Sequence, residues 1–164
     1  MRSLARFALI GLAAFALSAP VSGQRADDQL SPRSVQIQRE GKTLLAAGKL
    51  DSAQDMFETA LAVDPRNRGA FVDLARVAEK QQLFGKAIRL TNKALAIEPN
   101  DPDAIAVQGQ AMVQLGAVAR AKANLAKLQT ICPKGCAQYA MLSAAITRGP
   151  AVASAKPPAT PKSN

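Results

Sequence analysis

The sequence predicts an all-α fold, a solenoid of three helix-turn-helix repeats closed by a C-terminal capping helix. Three observations predict it. The chain comes into register with itself when slid by 34 residues. Within each 34-residue unit two stretches place apolar residues at helical spacing, with a break between them. Each unit then closes on a proline at one fixed place, and a short apolar segment follows the last of them.

The first residues are read separately from that fold. Arg2 and Arg6 precede an apolar run from Phe7 to Leu17, and small residues follow to Gly23. This is the charged start, apolar middle and small-residue end of a secretory signal, expected to be cleaved over residues 1–23 by the Sec route. Pro20 stops the run well short of the roughly 20 residues a spanning helix needs, so the mature chain is not expected to span a membrane. The expected location is a bacterial periplasm, an oxidising compartment. Residues 24–33 are short and polar and read as a linker.

The repeats occupy residues 34–67, 68–101 and 102–135. Their columns are Ala53, Ala87 and Ala121; Pro65, Pro99 and Pro133; Gly41, Ala75 and Gly109; Ile37, Phe71 and Ile105; Leu50, Phe84 and Val118; and Val63, Ile97 and Ile131. Ala60 and Ala94 form a further pair that Leu128 breaks. In the first unit Ile37, Leu44 and Ala47 share one helical face, Gly48 opens the chain, and Ala53, Phe57, Ala60 and Leu61 share the next. Pro65 ends that helix, because the residue before proline avoids the helical region and proline has no amide to donate. The small columns are expected to let the two helices of a pair approach closely.

Residues 136–148 read as the cap. Tyr139, Leu142 and Ile146 make a stripe able to cover the last repeat, which a solenoid end requires. Ala140, Met141, Ala144 and Ala145 leave the rest of this helix apolar, and a homodimer contact through it is one expectation. Residues 149–164, rich in Pro, Ala and Lys, read as an extended, disordered tail.

Composition narrows the function. The chain has no His, which excludes Ser-His-Asp and Cys-His catalysis and removes the commonest metal ligand. No enzyme, metal or other cofactor is expected. The net charge of +9 falls to +7 without residues 1–23, and residues 34–147 carry 14 basic against 10 acidic residues, interspersed along the chain. With few aromatics and no basic stripe, nucleic acid is not an expected partner. Glu40-Gly41-Lys42-Thr43 imitates the end of a phosphate-binding loop, but Gln36 stands where that loop needs its first glycine. Asp101-Pro102-Asp103 reads as a helix start with proline in the first turn, not as a metal site.

The period and columns resemble the tetratricopeptide repeat (TPR) family. The residues that carry the resemblance run from Ile37, Gly41, Leu44, Ala53, Phe57, Ala60 and Pro65 in the first unit to Ile105, Gly109, Met112, Ala121, Leu125 and Pro133 in the third. Glu40 and Gln108 depart from it, standing where the family usually has Leu. The resemblance implies a right-handed solenoid that holds a protein or peptide in the concave groove formed by its first helices. Carried onto this sequence, that groove is Val35, Gln38, Arg39, Lys42, Leu45 and Ala46; then Gly69, Val72, Asp73, Arg76, Glu79 and Lys80; then Asp103, Ala106, Val107, Gln110, Val113 and Gln114. Val35, Leu45, Val72 and Val113 would anchor apolar groups, and Lys42 and Arg76 could meet an acidic one. Gln38, Lys42, Asp73, Asp103 and Val107 do not supply the clamp that some members use for a C-terminal carboxylate.

The two cysteines, Cys132 and Cys136, flank Pro133 and Gly135 at the corner between the third unit and the cap. Zinc would need more N or S ligands than this chain has. In an oxidising compartment the pair is expected to form a disulfide that staples the cap. A thiol-disulfide redox protein is the alternative, although the spacing is C-x3-C and not C-x-x-C. Binding of an envelope polymer through the basic tail is a third reading.

Overall fold

A computed structural model describes residues 29–151 of the chain. It contains seven α-helices and, among the described residues, no strand: α1 Pro32–Ala46, α2 Leu50–Val63, α3 Arg68–Lys80, α4 Phe84–Ile97, α5 Pro102–Gln114, α6 Val118–Ile131 and α7 Ala137–Arg148. Helices α1/α2, α3/α4 and α5/α6 are the three expected pairs, and α7 packs on both α5 and α6. The expected signal over residues 1–23 and the tail beyond Ala151 lie outside the described residues. The linker is shorter than expected. Pro32 already sits in the first turn of α1, with Ser31 before it as N-cap. No described helix is long and apolar enough to cross a membrane.

The corners follow from three sequence columns. Asp64, Glu98 and Cys132, each just before a proline, leave the helical region (φ −147°, −134° and −121°), the first two for extended backbone, so α2, α4 and α6 stop there. Asn67 and Asp101 then start the next pair, accepting hydrogen bonds from the Ala70 and Ala104 amides at 3.1 and 3.0 Å. Between the helices of each pair the chain turns through a left-handed residue: Gly48 (φ 73°), Gln82 (φ 59°) and Gly116 (φ 75°). Glycine takes this conformation freely, whereas Gln82 carries a Cβ into it.

Packing corrects one expectation about the small columns. Ala53, Ala87, Ala121, Ala60, Ala94 and Ala75 are buried and sit inside helix pairs as expected. The two glycines instead make room for large side chains. A Cβ on Gly41 would stand 2.6 Å from the Phe57 ring of α2. A Cβ on Gly109 would stand 2.6 Å from both methyls of Leu142, which comes from α7 and not from α6. The cap therefore inserts into the third repeat. Leu142 is fully buried with Ile105, Ala106 and Leu128, and Tyr139 and Ile146 pack beside it. Leu128, the residue that broke the Ala60/Ala94 column, fills this end of the core. Gln108, the departure in α5, is buried in a polar link: it donates to the Asn92 Oδ1 at 2.7 Å and accepts from Asn124 Nδ2 at 3.0 Å. That link joins α4, α5 and α6 where the family usually has an apolar contact.

Candidate functional site

The first helices α1, α3, α5 and α7 stand side by side, and the face they share holds two adjoining hollows. One, of about 540 Å³, lies toward the C-terminal ends of α1, α3 and α5 and is walled on its far side by α7. The other, of about 630 Å³, lies toward the N-terminal ends of α3 and α5. Val35, Gln38, Lys42, Leu45, Gly69, Val72, Asp73, Arg76, Glu79, Lys80, Asp103, Ala106, Val107, Gln110 and Gln114 line one or both. The groove expected from the sequence and the hollow face of the molecule are therefore largely the same surface.

Three groove expectations fail. Val113 is fully buried, packed with Met112 and Ala121 and covered by Ile146 of α7. Its column partners Leu45 and Glu79 are only half-buried and line the hollow. Val72 is 2% exposed and belongs to the floor, in contact with the α3/α4/α5 core, so it offers no pocket for an anchor. Arg39 and Ala46 are exposed but line neither hollow.

The basic pair of the groove is also different from expectation. Asp73 is 1% exposed and neutralises both cations from within the chain. Its Oδ2 accepts from Gln38 Nε2 at 2.7 Å and lies 3.5 Å from Lys42 Nζ. Its Oδ1 accepts from Arg76 Nη1 at 2.8 Å. Arg76 Nη2 donates onward to Asp103 Oδ1 at 2.7 Å, and Gln138 of α7 reaches the same oxygen at 3.3 Å. A polar ladder thus runs across the groove floor from α1 to α7. The acidic group that Lys42 and Arg76 were expected to meet is supplied by this chain. A buried carboxylate with three charge-assisted or amide contacts is held in place, and the ladder ties the first helices together.

Glu79 has no such partner. Among the described residues no Lys or Arg nitrogen lies within ion-pair distance of it, and burial pushes its carboxyl up to about 7, with Arg76 drawing it partly back. At the other end of the groove Arg68, from the start of α3, is ion-paired with Asp101. Sequence reasoning missed several residues of the hollows. Gln82, Phe84, Met141, Ala145 and Arg148 come from a turn, a second helix and the cap, none of which the first-helix register points to. Met141 in particular turns toward the hollow from α7, the helix whose apolar surplus raised the homodimer expectation.

Cys132 follows α6 as its C-cap and Cys136 precedes α7 as its N-cap. Gly135 (φ 86°) turns the chain between them, and both side chains are half-buried. The sequence expects a disulfide here; the structure places the two cysteines as neighbouring thiols. The hydrogen bond from Cys132 and the Tyr139 and Gln138 amides of α7 hold the Cys136 thiol below its usual range. Donating that bond raises the Cys132 thiol.

Comparison with known proteins agrees with this architecture. A family model described as tetratricopeptide repeat matches residues 44–111. Among solved structures, the first TPR of Spaghetti (RPAP3) bound to the HSP90 peptide SRMEEVD is similar at TM-score 0.65 and 21% identity, covering 76% of this chain and 98% of that one. PcrH of Pseudomonas aeruginosa in complex with the chaperone binding region of PopD is similar at TM-score 0.61 and 21% identity, over 73% of this chain and 90% of that one. The TPR2B domain of yeast Sti1 in complex with pHsp70 gives TM-score 0.65 and 20% identity, over 72% and 98%. No curated protein matches.

Proposed function

We propose that this chain is a member of the tetratricopeptide repeat family and a non-catalytic interaction scaffold that holds a segment of a partner protein along the face of α1, α3, α5 and α7. The observation that carries this reading is the pair of adjoining hollows on that one face, lined by residues from α1, α3, α5 and α7. Similar folds are described holding an HSP90 peptide, a PopD segment and pHsp70. The floor of the groove is rigid and internally neutralised, so partner contact falls to the residues above it. These are Val35, Leu45 and Phe84 for apolar groups, and Gln110 and Gln114 for main-chain groups of an extended segment.

The setting we propose is the periplasm, reached by a cleaved Sec signal, on the pattern of Arg2, Arg6 and the run from Phe7 to Leu17. In that compartment Cys132 and Cys136 form a disulfide across the corner before α7. Fractionation with N-terminal sequencing of the mature protein tests the location; recovery of the intact N-terminus from the cytoplasm overturns it.

The scaffold reading is tested by using the full chain as bait in native extract, with partners identified by mass spectrometry. Leu45→Glu and Gln110→Glu place charge in the groove and should lose the partner. Lys122→Glu, on the exposed face of α6, should keep it. A partner retained equally by all three overturns the groove as the binding face.

A further inference from the structure

The hollow between α3, α5 and α7 contains a carboxylate at a position the repeat reserves for apolar groups. Column 45/79/113 has Leu45 in the first repeat and Val113 in the third, and Glu79 between them. The side chain is half-buried and lines the hollow together with Leu45, Phe84, Val107 and Met141. The charged groups around it are already occupied or stand apart. Arg76, one turn away on α3, is held by Asp73 and Asp103. Asp103 of α5 is itself an acid and adds no cation. Lys80 of α3 and Arg148 of α7 line the hollow but are exposed, and neither is ion-paired with Glu79. Leu45 of α1 and Phe84 of α4 complete the wall without charge.

The chain itself is delivered to this hollow. Gly149 (φ 72°) turns the backbone after α7, and the Ala151 amide donates to Gln114 Oε1 of α5 at 2.9 Å. Ala151 thereby becomes part of the hollow's wall. Residues 152–164, VASAKPPATPKSN, continue from that point with Lys156 and Lys162 and no acidic residue. Five residues of extended chain span about 16 Å, which places Lys156 within reach of every group lining a hollow of about 540 Å³. Val, Ala and Ser before the lysine are small enough to enter. The Pro-Pro pair after it favours an extended backbone that asks for fewer hydrogen-bond partners.

We propose that residues 152–164 of this chain seat in the hollow, with the Lys156 ammonium against the Glu79 carboxylate, and that the seated tail competes with a partner for the C-terminal half of the groove. The competition rests on the scaffold reading above; the seat does not. Desolvation that raises the Glu79 carboxyl is offset when a cation stands beside it, so the seated tail draws its titration back toward the ordinary carboxylate range.

The test is a carbon-detected NMR titration of the Glu79 side chain in the full chain and in Lys156→Gln, Lys162→Gln and Arg148→Gln. The seat predicts a Glu79 midpoint in the full chain at least about one pH unit below that of Lys156→Gln, with Lys162→Gln and Arg148→Gln behaving as the full chain. Equal midpoints in the full chain and Lys156→Gln overturn it, as does a shift produced by Arg148→Gln instead. A synthetic peptide of residues 152–164, added to Lys156→Gln protein, should perturb the Ala106, Gln110 and Met141 amides in a saturable way; no perturbation overturns the seat. In the bait experiment Lys156→Gln should raise partner capture severalfold. Unchanged capture with a shifted Glu79 midpoint overturns the competition alone, whereas failure of the groove variants overturns the scaffold reading and leaves the seat standing.

Discussion

Leu142 of α7 occupies the space left by the missing side chain of Gly109 in α5, with both its methyls 2.6 Å from where a Cβ would stand. The cap is thus keyed into the third repeat by one residue pair. Gly109→Ala should displace Leu142 and cost about 1–3 kcal/mol, the usual range for overpacking a core. Chemical denaturation measures the loss, and hydrogen exchange should show it concentrated in α7. The pair is tested by a cycle with Leu142→Ala, which by itself removes a fully buried side chain at about 2–5 kcal/mol. In that background Gly109→Ala should be neutral or stabilising by up to about 1 kcal/mol, because alanine is the better helix former once the clash is gone. Additive losses would show that Gly109 is small for some other reason.

Gln82 turns between α3 and α4 in the left-handed conformation that Gly48 and Gly116 take at the equivalent corners. An L-residue there costs about 1–2 kcal/mol, part of which glycine gives back through its larger unfolded-state freedom. Gln82→Gly should therefore raise stability by about 0.5–1 kcal/mol, and Gly48→Ala and Gly116→Ala should lower it by about 1 kcal/mol. Melting curves of the three variants check the sign. A Gln82→Gly protein that melts earlier than the parent would place the side chain's contacts above its backbone strain.

These two features mark where the sequence is legible and where it is not. The prolines at 65, 99 and 133 and the small columns are local signals repeated three times, so the helix boundaries and the groove-lining face can be read from one strand of text. Residues such as Gln38, Lys42 and Arg76 lie in the groove because their register says so. What each one touches depends on its neighbours in the next repeat, and register says nothing of that. Asp73 takes both cations because α1 brings Gln38 and Lys42 to the carboxylate that Arg76, one turn along α3, already meets. Val113 is buried for a related reason, since the helix covering it belongs to the cap and not to the repeat. Gly109 looked like half of a helix pair, and its true partner is 33 residues away in α7, the one described helix outside the period.

Asn67 should be the costliest polar residue to lose. It is fully buried, accepts from the Ala70 amide at 3.1 Å and donates to Ser34 Oγ at 2.9 Å. Ser34 donates in turn to the Ala60 carbonyl at 2.7 Å, so one short network ties α1, α2 and α3 together. Asn67→Ala removes an N-cap and a buried bridge, for a loss of about 2 kcal/mol. Asn67→Asp keeps the cap acceptor and loses only the donor to Ser34, so it should fall between the two. Equilibrium denaturation ranks them, and an alanine variant as stable as the parent would remove the network from the account.

Asp64 predicts how the first repeat responds to acid. It accepts from the Ser31 amide at 2.8 Å and from the Arg66 amide and Nε at 3.0 and 3.3 Å. The Ser31 hydrogen bond, aided by Arg66, holds its carboxyl below the usual 3.8, against the opposing effect of burial. The folded state thus binds its proton less readily than the unfolded chain. The resulting stability is fully present above the unfolded value near 3.8 and is lost as pH falls through the lower folded value. Asp64→Asn should lower the melting temperature at neutral pH and converge with the parent in strong acid. A constant gap between the two curves at every pH would mean that the charge of Asp64 contributes nothing to holding the start of α1.

The corner between α6 and α7 gives the last prediction. Cys132 and Cys136 close a loop of only a few residues, and a disulfide there should add about 2 kcal/mol through loop entropy alone. The gain falls where a solenoid frays first, at its terminal helix. Oxidised protein should melt higher than reduced protein, with added protection of the α7 amides in hydrogen exchange. The Cys132 thiol and the Tyr139 and Gln138 amides, which hold the Cys136 thiol below its usual range, also predict an order of reactivity. Cys136 should be alkylated several times faster than Cys132 at neutral pH, since the thiolate is the attacking form. Cys132→Ser should abolish the redox difference in melting temperature and leave partner capture unchanged, because the corner lies off the groove. Loss of capture on reduction would instead mean that the position of α7, and with it Met141 and Ala145 in the groove wall, depends on the bond.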